Sequence, residues 1–166
     1  MANITFKENP VTLQGQQKQE GDQAPDFTVL DRQLQEVSFS EAKGKKVLIS
    51  AVPSVDTSTC DQQTRRFNEE VEQVAGAEIW TISLDLPFAQ RRWCADSGLE
   101  QAKLYSDHRS LDFAMNYGVL MEELRLLARA VFVVDSKGTI TYTEYVPEVS
   151  GHPDYDAALE ALKKAE

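Results

Sequence analysis

The sequence predicts an α/β fold: one central mixed β-sheet flanked by helices, with a β-hairpin at the N-terminus. Three observations carry this expectation. The segments "KKVLISAV" (45–52), "AEIWTISLD" (77–85) and "ARAVFVVD" (128–135) are near-continuous apolar runs rich in β-branched residues, the pattern of strands buried on both faces. A stretch with helical periodicity separates the first two. The run "TITYTEYV" (139–146) follows the third after only Ser136-Lys137-Gly138, so those two should pair antiparallel as a hairpin.

Taken in order, "ITFKENPVTL" alternates apolar and polar residues on either side of Glu8-Asn9-Pro10 and reads as a short hairpin within about residues 3–14. The following "QGQQKQEGDQAPDF" reads as a loop, with Pro25 blocking regular pairing. After the first strong strand, Cys60, Thr64, Phe67, Val71 and Val74 are spaced 4, 3, 4, 3, which puts the cysteine on the apolar stripe of a helix facing the sheet. A second helix should begin at Pro87, suited to a first helical position, and stop at Gly98; it carries Cys94. A shorter helix should cover "SLDFAMNY" (110–117), and Pro153 should open a last one, with Tyr155, Leu159 and Leu162 on one face. This order suits a thioredoxin-like fold, read as a single domain over 1–166. A flavodoxin-like fold would prefer another parallel unit where the "VFVVD…TITYTEYV" hairpin stands.

With 166 residues, 42% of them hydrophobic and 27% charged, the chain has enough material for a core without disulfide or metal support, since about 150 residues bury roughly 70% of the unfolded surface. A formal charge of −10 repels a phosphate backbone and argues against nucleic acid as the main partner. Neither a basic-then-apolar leader nor an apolar run of membrane-spanning length is visible, so the expectation is a cytoplasmic protein with no membrane partner. Two cysteines in such a chain leave inert core thiols, a redox pair or half a metal site.

Cys60 ends "PSVDTSTC" (53–60), a run of turn and cap formers. If Thr57 or Ser58 caps the helix, Cys60 lies in its first turn, where unpaired backbone N–H groups and the positive end of the helix dipole favour an anion. Position alone leaves two readings, a small apolar core residue or a reactive thiol. The company of Pro53, Thr57, Arg65 and Arg66 favours the second, although those two arginines read as solvated surface charges.

Here the residues carry a resemblance. Pro53-x-x-x-Thr57-x-x-Cys60 resembles the P-x-x-x-T-x-x-C signature of the peroxiredoxins, and "PSVDTSTC" resembles that of the thiol peroxidase subfamily, atypical two-cysteine peroxiredoxins. Further segments are similar along nearly the whole chain: "GDQAPDFTVLD" (21–31), "RRFNEE" (65–70), "SLDLPFAQRRWC" (83–94), "LLARAVFVVD" (126–135) and "PDYDAALEALK" (153–163). The resemblance implies a peroxidase that reduces hydrogen peroxide and alkyl or lipid hydroperoxides. In it Cys60 would be the peroxidatic cysteine, which becomes a sulfenic acid, and Cys94 the resolving cysteine that forms a Cys60–Cys94 disulfide. Thr57 would hydrogen-bond the thiolate and the peroxide oxygen, Pro53 would shield the pocket, and Arg129 would supply positive charge beside the sulfur. It also implies thioredoxin as reductant and a homodimer, with no cofactor and no metal.

Other signals are set aside. Cys60, Cys94, His108 and His152 show no C-x-x-C or H-x-x-x-H pairing that would suggest zinc. "AKGKK" (42–46) lacks the pattern of a phosphate-binding loop and reads as a polar turn. The apolar residues of "YGVLMEELRLLA" (117–128) read mostly as core, with some available for a dimer surface or an apolar channel.

Overall fold

In the computed structural model, which describes residues 3–166, the chain opens with the hairpin β1 (Ile4–Phe6) and β2 (Asn9–Val11) and the short β3 (Leu13–Gln14). It continues through β4 (Thr28–Leu30), β5 (Glu36–Ser38), β6 (Lys46–Ala51), α1 (Ser58–Glu70), β7 (Ala77–Ser83), α2 (Pro87–Ser97), β8 (Lys103–Ser106) and α3 (Asp112–Tyr117). Then follow β9 (Leu120–Met121), β10 (Leu126–Leu127), the hairpin β11 (Ala130–Val134) and β12 (Ile140–Tyr145), and α4 (Tyr155–Lys164).

The main sheet has the order β12-β11-β6-β7-β8-β4-β5. Strands β6, β7 and β8 run parallel, while β11, β12, β4 and β5 are antiparallel to their neighbours, which makes the sheet mixed. The three apolar runs are its centre, and side-chain alternation sorts them between two layers. Leu48, Ile79, Val131 and Val133 meet Phe67 of α1 and Ala158, Leu159 and Leu162 of α4. From the other face Ile49, Trp80 and Phe132 meet Phe27 and, from α3, Phe113 and Tyr117. A one-residue slip of β6 would turn Ser50 into that aromatic layer and Ile49 out of it, so burial fixes the register. Near the ends of the parallel strands, Leu104 joins Val52, Val55, Cys60, Cys94 and Ala102 in a smaller cluster under α1 and α2.

Three sequence expectations are adjusted. The hairpin turn falls at Lys7-Glu8, both at positive φ, and Pro10 is paired opposite Thr5. Proline lacks an N–H and is tolerated because this strand is an edge. The last helix starts at Tyr155, because the Asp154 side chain accepts a hydrogen bond from the Ala157 N–H at 3.0 Å and caps it. The segment 117–128 forms β9 and β10, which join β3 in a separate three-stranded sheet. Val119, Leu120, Met121 and Leu127 are buried there and only Leu124 is exposed among its large apolar residues. Gly118, at φ +69, ends α3 where a Cβ would come within 2.6 Å of the Gln17 backbone nitrogen, so glycine alone fits this crossing.

The start of α3 holds a titrating group. Leu111 turns into the left-handed region, and the buried Asp107 carboxylate accepts from the Phe113 and Ala114 N–H groups at 3.1 and 2.8 Å. Burial pushes this carboxyl up to about 7, against those two hydrogen bonds. The folded value lies above the unfolded one of about 3.9, so the folded state binds the extra proton between them. Stability should therefore fall as pH rises from about 4 to 7, by at most about 1.4 kcal/mol per pH unit from this group. Thermal melts from pH 5 to 8 should show this slope, and Asp107→Asn should flatten it. An equal slope in the variant would contradict the assignment.

Candidate active site

Strand β6 ends at the centre of the sheet and releases the chain into the turn 52–57. Val52 still donates to Ile82 O at 3.1 Å, and Pro53 is buried directly after it. Asp85, just beyond β7, holds the turn: its carboxylate accepts from Ser54 Oγ at 2.7 Å, Val55 N at 2.9 Å and Ser83 Oγ at 2.7 Å. Thr57 is the N-cap of α1 by backbone conformation, but its hydroxyl donates to Ser54 O at 3.0 Å. That exposed hydroxyl has its hydrogen committed to the turn, leaving its oxygen free to accept. The first backbone bond of α1 runs from Asp61 N to Thr57 O at 2.8 Å, so the N–H groups of the preceding turn face forward without helical acceptors.

Cys60 sits in that first turn with no exposed surface. A core thiol would have only apolar neighbours. Here Arg129 Nη2 donates to Cys60 Sγ at 3.2 Å. Arg129 precedes β11, is 2% exposed, and spends its fork on three partners: the sulfur, Gln63 Oε1 at 2.9 Å from Nη1, and Val149 O at 2.7 Å from Nε. Gln63 is itself fixed, donating from Nε2 to Ser50 Oγ at 2.7 Å. Gln63 was not singled out from sequence; its position three residues after Cys60 and beside Thr64 puts it on the same side of α1, but a polar residue there gave no reason to expect burial. The Val149 carbonyl belongs to a loop tied to β1, since Thr5 N donates to Pro147 O and Val149 N to Thr5 O, each at 2.8 Å. Hydrogen bonds from Ser150, Glu8 and Thr5 hold the Glu148 carboxyl of that loop down at about 2.

Cys94 lies on α2, also without exposed surface and also a free thiol, in the same cluster as Cys60. Burial pushes its thiol up, and the Arg32 guanidinium works against that shift. The structure thus brings Cys60, Arg129 and Gln63 into direct contact, sets Cys94 in their apolar wall, and leaves the Thr57 hydroxyl at the rim. Arg65, read from sequence as a solvated charge, is 41% exposed and pairs with Asp61 at 2.8 Å. His108 and His152 stand apart from the cysteines in the described contacts, and no group of three or more metal-ligating side chains is gathered among the described residues.

A thioredoxin-like sheet that presents a buried cysteine to a buried arginine, at the start of the helix after a central strand, defines a thiol-based oxidoreductase. The Redoxin family model matches residues 19–159. The thiol peroxidase of Halalkalibacterium halodurans is 59% identical over 165 residues, 99% of this chain and 99% of that protein. The thiol peroxidase of Bacillus subtilis is 53% identical over 98% of each chain. Among solved structures, a peroxiredoxin-like protein from Aquifex aeolicus superposes with a TM-score of 0.92 at 36% identity, covering 99% of this chain and 97% of that one. A thiol peroxidase from Chromobacterium violaceum, at 22% identity and a TM-score of 0.90 over 99% and 97% of the two chains, shares the fold. The chain belongs to the redoxin family and, within it, to the thiol peroxidases.

Proposed function

We propose that this peroxidase reduces hydrogen peroxide and organic hydroperoxides through Cys60. The observation that carries the reading is the Arg129 Nη2 donor 3.2 Å from the Cys60 sulfur inside a site closed to solvent. The Cys60 thiolate attacks the nearer peroxide oxygen, an S–O bond forms as the O–O bond breaks, and the departing oxygen leaves as water or alcohol after taking a proton. Negative charge moves from sulfur to that oxygen, and fixed donors stabilise it without reorganisation. Arg129 is aimed at this charge, Gln63 and Val149 hold the guanidinium in place, and Pro53 keeps water from the sulfur. For Thr57 to donate to the peroxide, its hydroxyl must turn away from Ser54 O, which costs one exposed hydrogen bond.

The sulfenic acid is then attacked by the Cys94 thiolate, which forms the disulfide and expels hydroxide. A dithiol protein, thioredoxin in this reading, returns both cysteines to thiols and becomes a disulfide itself. Cys94 resolves Cys60 because no thiol stands nearer, position 57 being threonine. A cytoplasmic homodimer completes the proposal; Leu86 and Phe88, 50% and 55% exposed, are large apolar side chains left open in a groove with Ser54 and Asp56.

Reduced protein mixed rapidly with one equivalent of hydrogen peroxide or cumene hydroperoxide tests the reading. Two thiols should be lost per peroxide, peptide mapping should find Cys60 joined to Cys94, and thioredoxin with its reductase should restore both. Consumption no faster than by free cysteine would overturn it.

A further inference from the structure

The residues beside the two cysteines bind each other. Asp61 follows Cys60 and Trp93 precedes Cys94, and Trp93 Nε1 donates to Asp61 Oδ1 at 2.6 Å, joining the first turn of α1 to α2. The other Asp61 oxygen accepts from Arg65 Nε at 2.8 Å. Arg65 completes the join, lying over the Trp93 ring at 5.6 Å while its Nη1 reaches Ser97 O at 3.4 Å near the end of α2. Nothing in this set touches either sulfur in the described contacts. It spans the two pieces of chain that carry them.

In the arrangement observed, Cys60 is hydrogen-bonded to Arg129 and both thiols are free. For Cys60 to bond Cys94 its sulfur must leave Arg129, and a disulfide requires Cα atoms about 5.5 Å apart in a narrow geometry. Rotation or unwinding of the first turn of α1 carries Asp61 with it. The Asp61–Trp93 bond, charge-assisted and half-buried, opposes that movement. A second tether from the same turn, Thr59 Oγ1 to Ser150 O at 3.2 Å, leads to the loop that fixes Arg129 and acts in the same direction.

We infer that Asp61, Trp93 and Arg65 form a latch of positioning residues that holds α1 and α2 in the reduced arrangement and thereby sets how fast Cys94 resolves oxidised Cys60. The inference rests on the Cys60–Cys94 reading above. While the latch is closed the sulfenic acid persists, and a second hydroperoxide can transfer another oxygen to the same sulfur, giving a sulfinic acid and releasing water or alcohol. Latch strength therefore sets the balance between turnover and self-inactivation.

Trp93→Phe removes the donor and keeps a ring under Arg65, while Arg65→Met keeps the indole donor and removes the cation. Quenched-flow mass spectrometry separates the peroxide-dependent step, sulfenic acid formation, from the peroxide-independent step, disulfide formation. Both variants should speed the second step about three- to tenfold, the change expected for losing one ordinary net hydrogen bond at a half-exposed position. The first step should stay within about twofold, because the Arg129 contact is untouched. The peroxide concentration that gives half-maximal sulfinic acid should rise by the same factor as the second step. Asp61→Asn, whose amide oxygen still accepts from Trp93, should lie nearer the wild type. A second step that is unchanged or slower in Trp93→Phe overturns the latch. Wild-type protein that forms no Cys60–Cys94 disulfide overturns the underlying reading instead. The latch is then judged in reduced protein by amide exchange, which should quicken at 57–64 and 90–97 in Trp93→Phe; equal rates overturn it.

Discussion

Arg129→Met is expected to slow the reaction of Cys60 with hydrogen peroxide by about 10²–10³, the range found when a single preorganised donor is removed from a developing oxyanion. The guanidinium is 2% exposed and touches the sulfur, so solvent does not screen what it supplies. Methionine fills similar volume but leaves Gln63 Oε1 and the Val149 carbonyl without their donor, at about 1–3 kcal/mol for each buried acceptor left unpaired. The combined loss of about 2–6 kcal/mol leaves a domain above the lower end of the ordinary range, about 5–15 kcal/mol, folded, and the rate is read on protein that urea unfolding shows to be folded. Arg129→Lys keeps the charge and gives up the fork, since one ammonium cannot span sulfur, amide and carbonyl in the arginine's geometry. Its rate should fall between those of the wild type and the methionine variant. Stopped-flow traces against peroxide concentration, with urea unfolding as the control, check both. A folded methionine variant that loses less than about tenfold would remove Arg129 from the chemistry.

Much of this arrangement is readable in the sequence, because burial on both faces leaves a compositional mark. The runs that became β6, β7 and β11 have almost no polar interruption, and Cys60, Thr64 and Phe67 of the expected stripe are buried within α1, whereas Val71 and Val74 lie beyond its end at Glu70 and Val71 is only partly buried. Pro87 and Gly98 bound α2 as expected from their backbone preferences, with Gly98 at φ 77 in the left-handed cap. Short elements left weaker marks. Strands β3, β9 and β10 have two residues each, too few for any period, and their apolar sequence is shared with loop and helix.

The polar part of the site was harder to read, for a different reason. Gln63 and Ser50 are fully buried polar side chains that satisfy each other and Arg129 across a strand and a helix. Such residues have no periodicity of their own; only their partners explain them, and the partners lie far away in sequence. Arg129 entered through family resemblance, since an arginine at a strand start looks the same whether it faces solvent or sulfur. Arg65 shows the converse. Spaced as a surface charge, it is committed by one neighbour, Asp61, and by the indole of a residue on another helix.

The second large effect is expected at the cysteines themselves, and the two should separate cleanly. Cys60→Ser should abolish peroxide reduction, by at least about 10³, because a serine hydroxyl stays protonated near neutral pH and attacks the O–O bond poorly. Its fold should be retained: oxygen replaces sulfur at almost equal volume, and Arg129 Nη2 keeps an acceptor. The apolar neighbours of Cys94 are Val52, Val55, Ala102, Leu104 and Cys60, and the Arg32 guanidinium is the polar group beside its thiol, so Cys94→Ser offers its hydroxyl to Arg32 whereas Cys94→Ala gives up that contact and leaves the wall apolar. Both Cys94 variants should react with one equivalent of peroxide at nearly the wild-type rate and then stop, holding Cys60 as a sulfenic acid that dimedone labels. With excess peroxide that acid should pass to the sulfinic state, which thioredoxin does not restore. Continued turnover in either Cys94 variant would show that Cys60 is resolved from outside the chain, and Cys94 would then be an apolar wall residue alone.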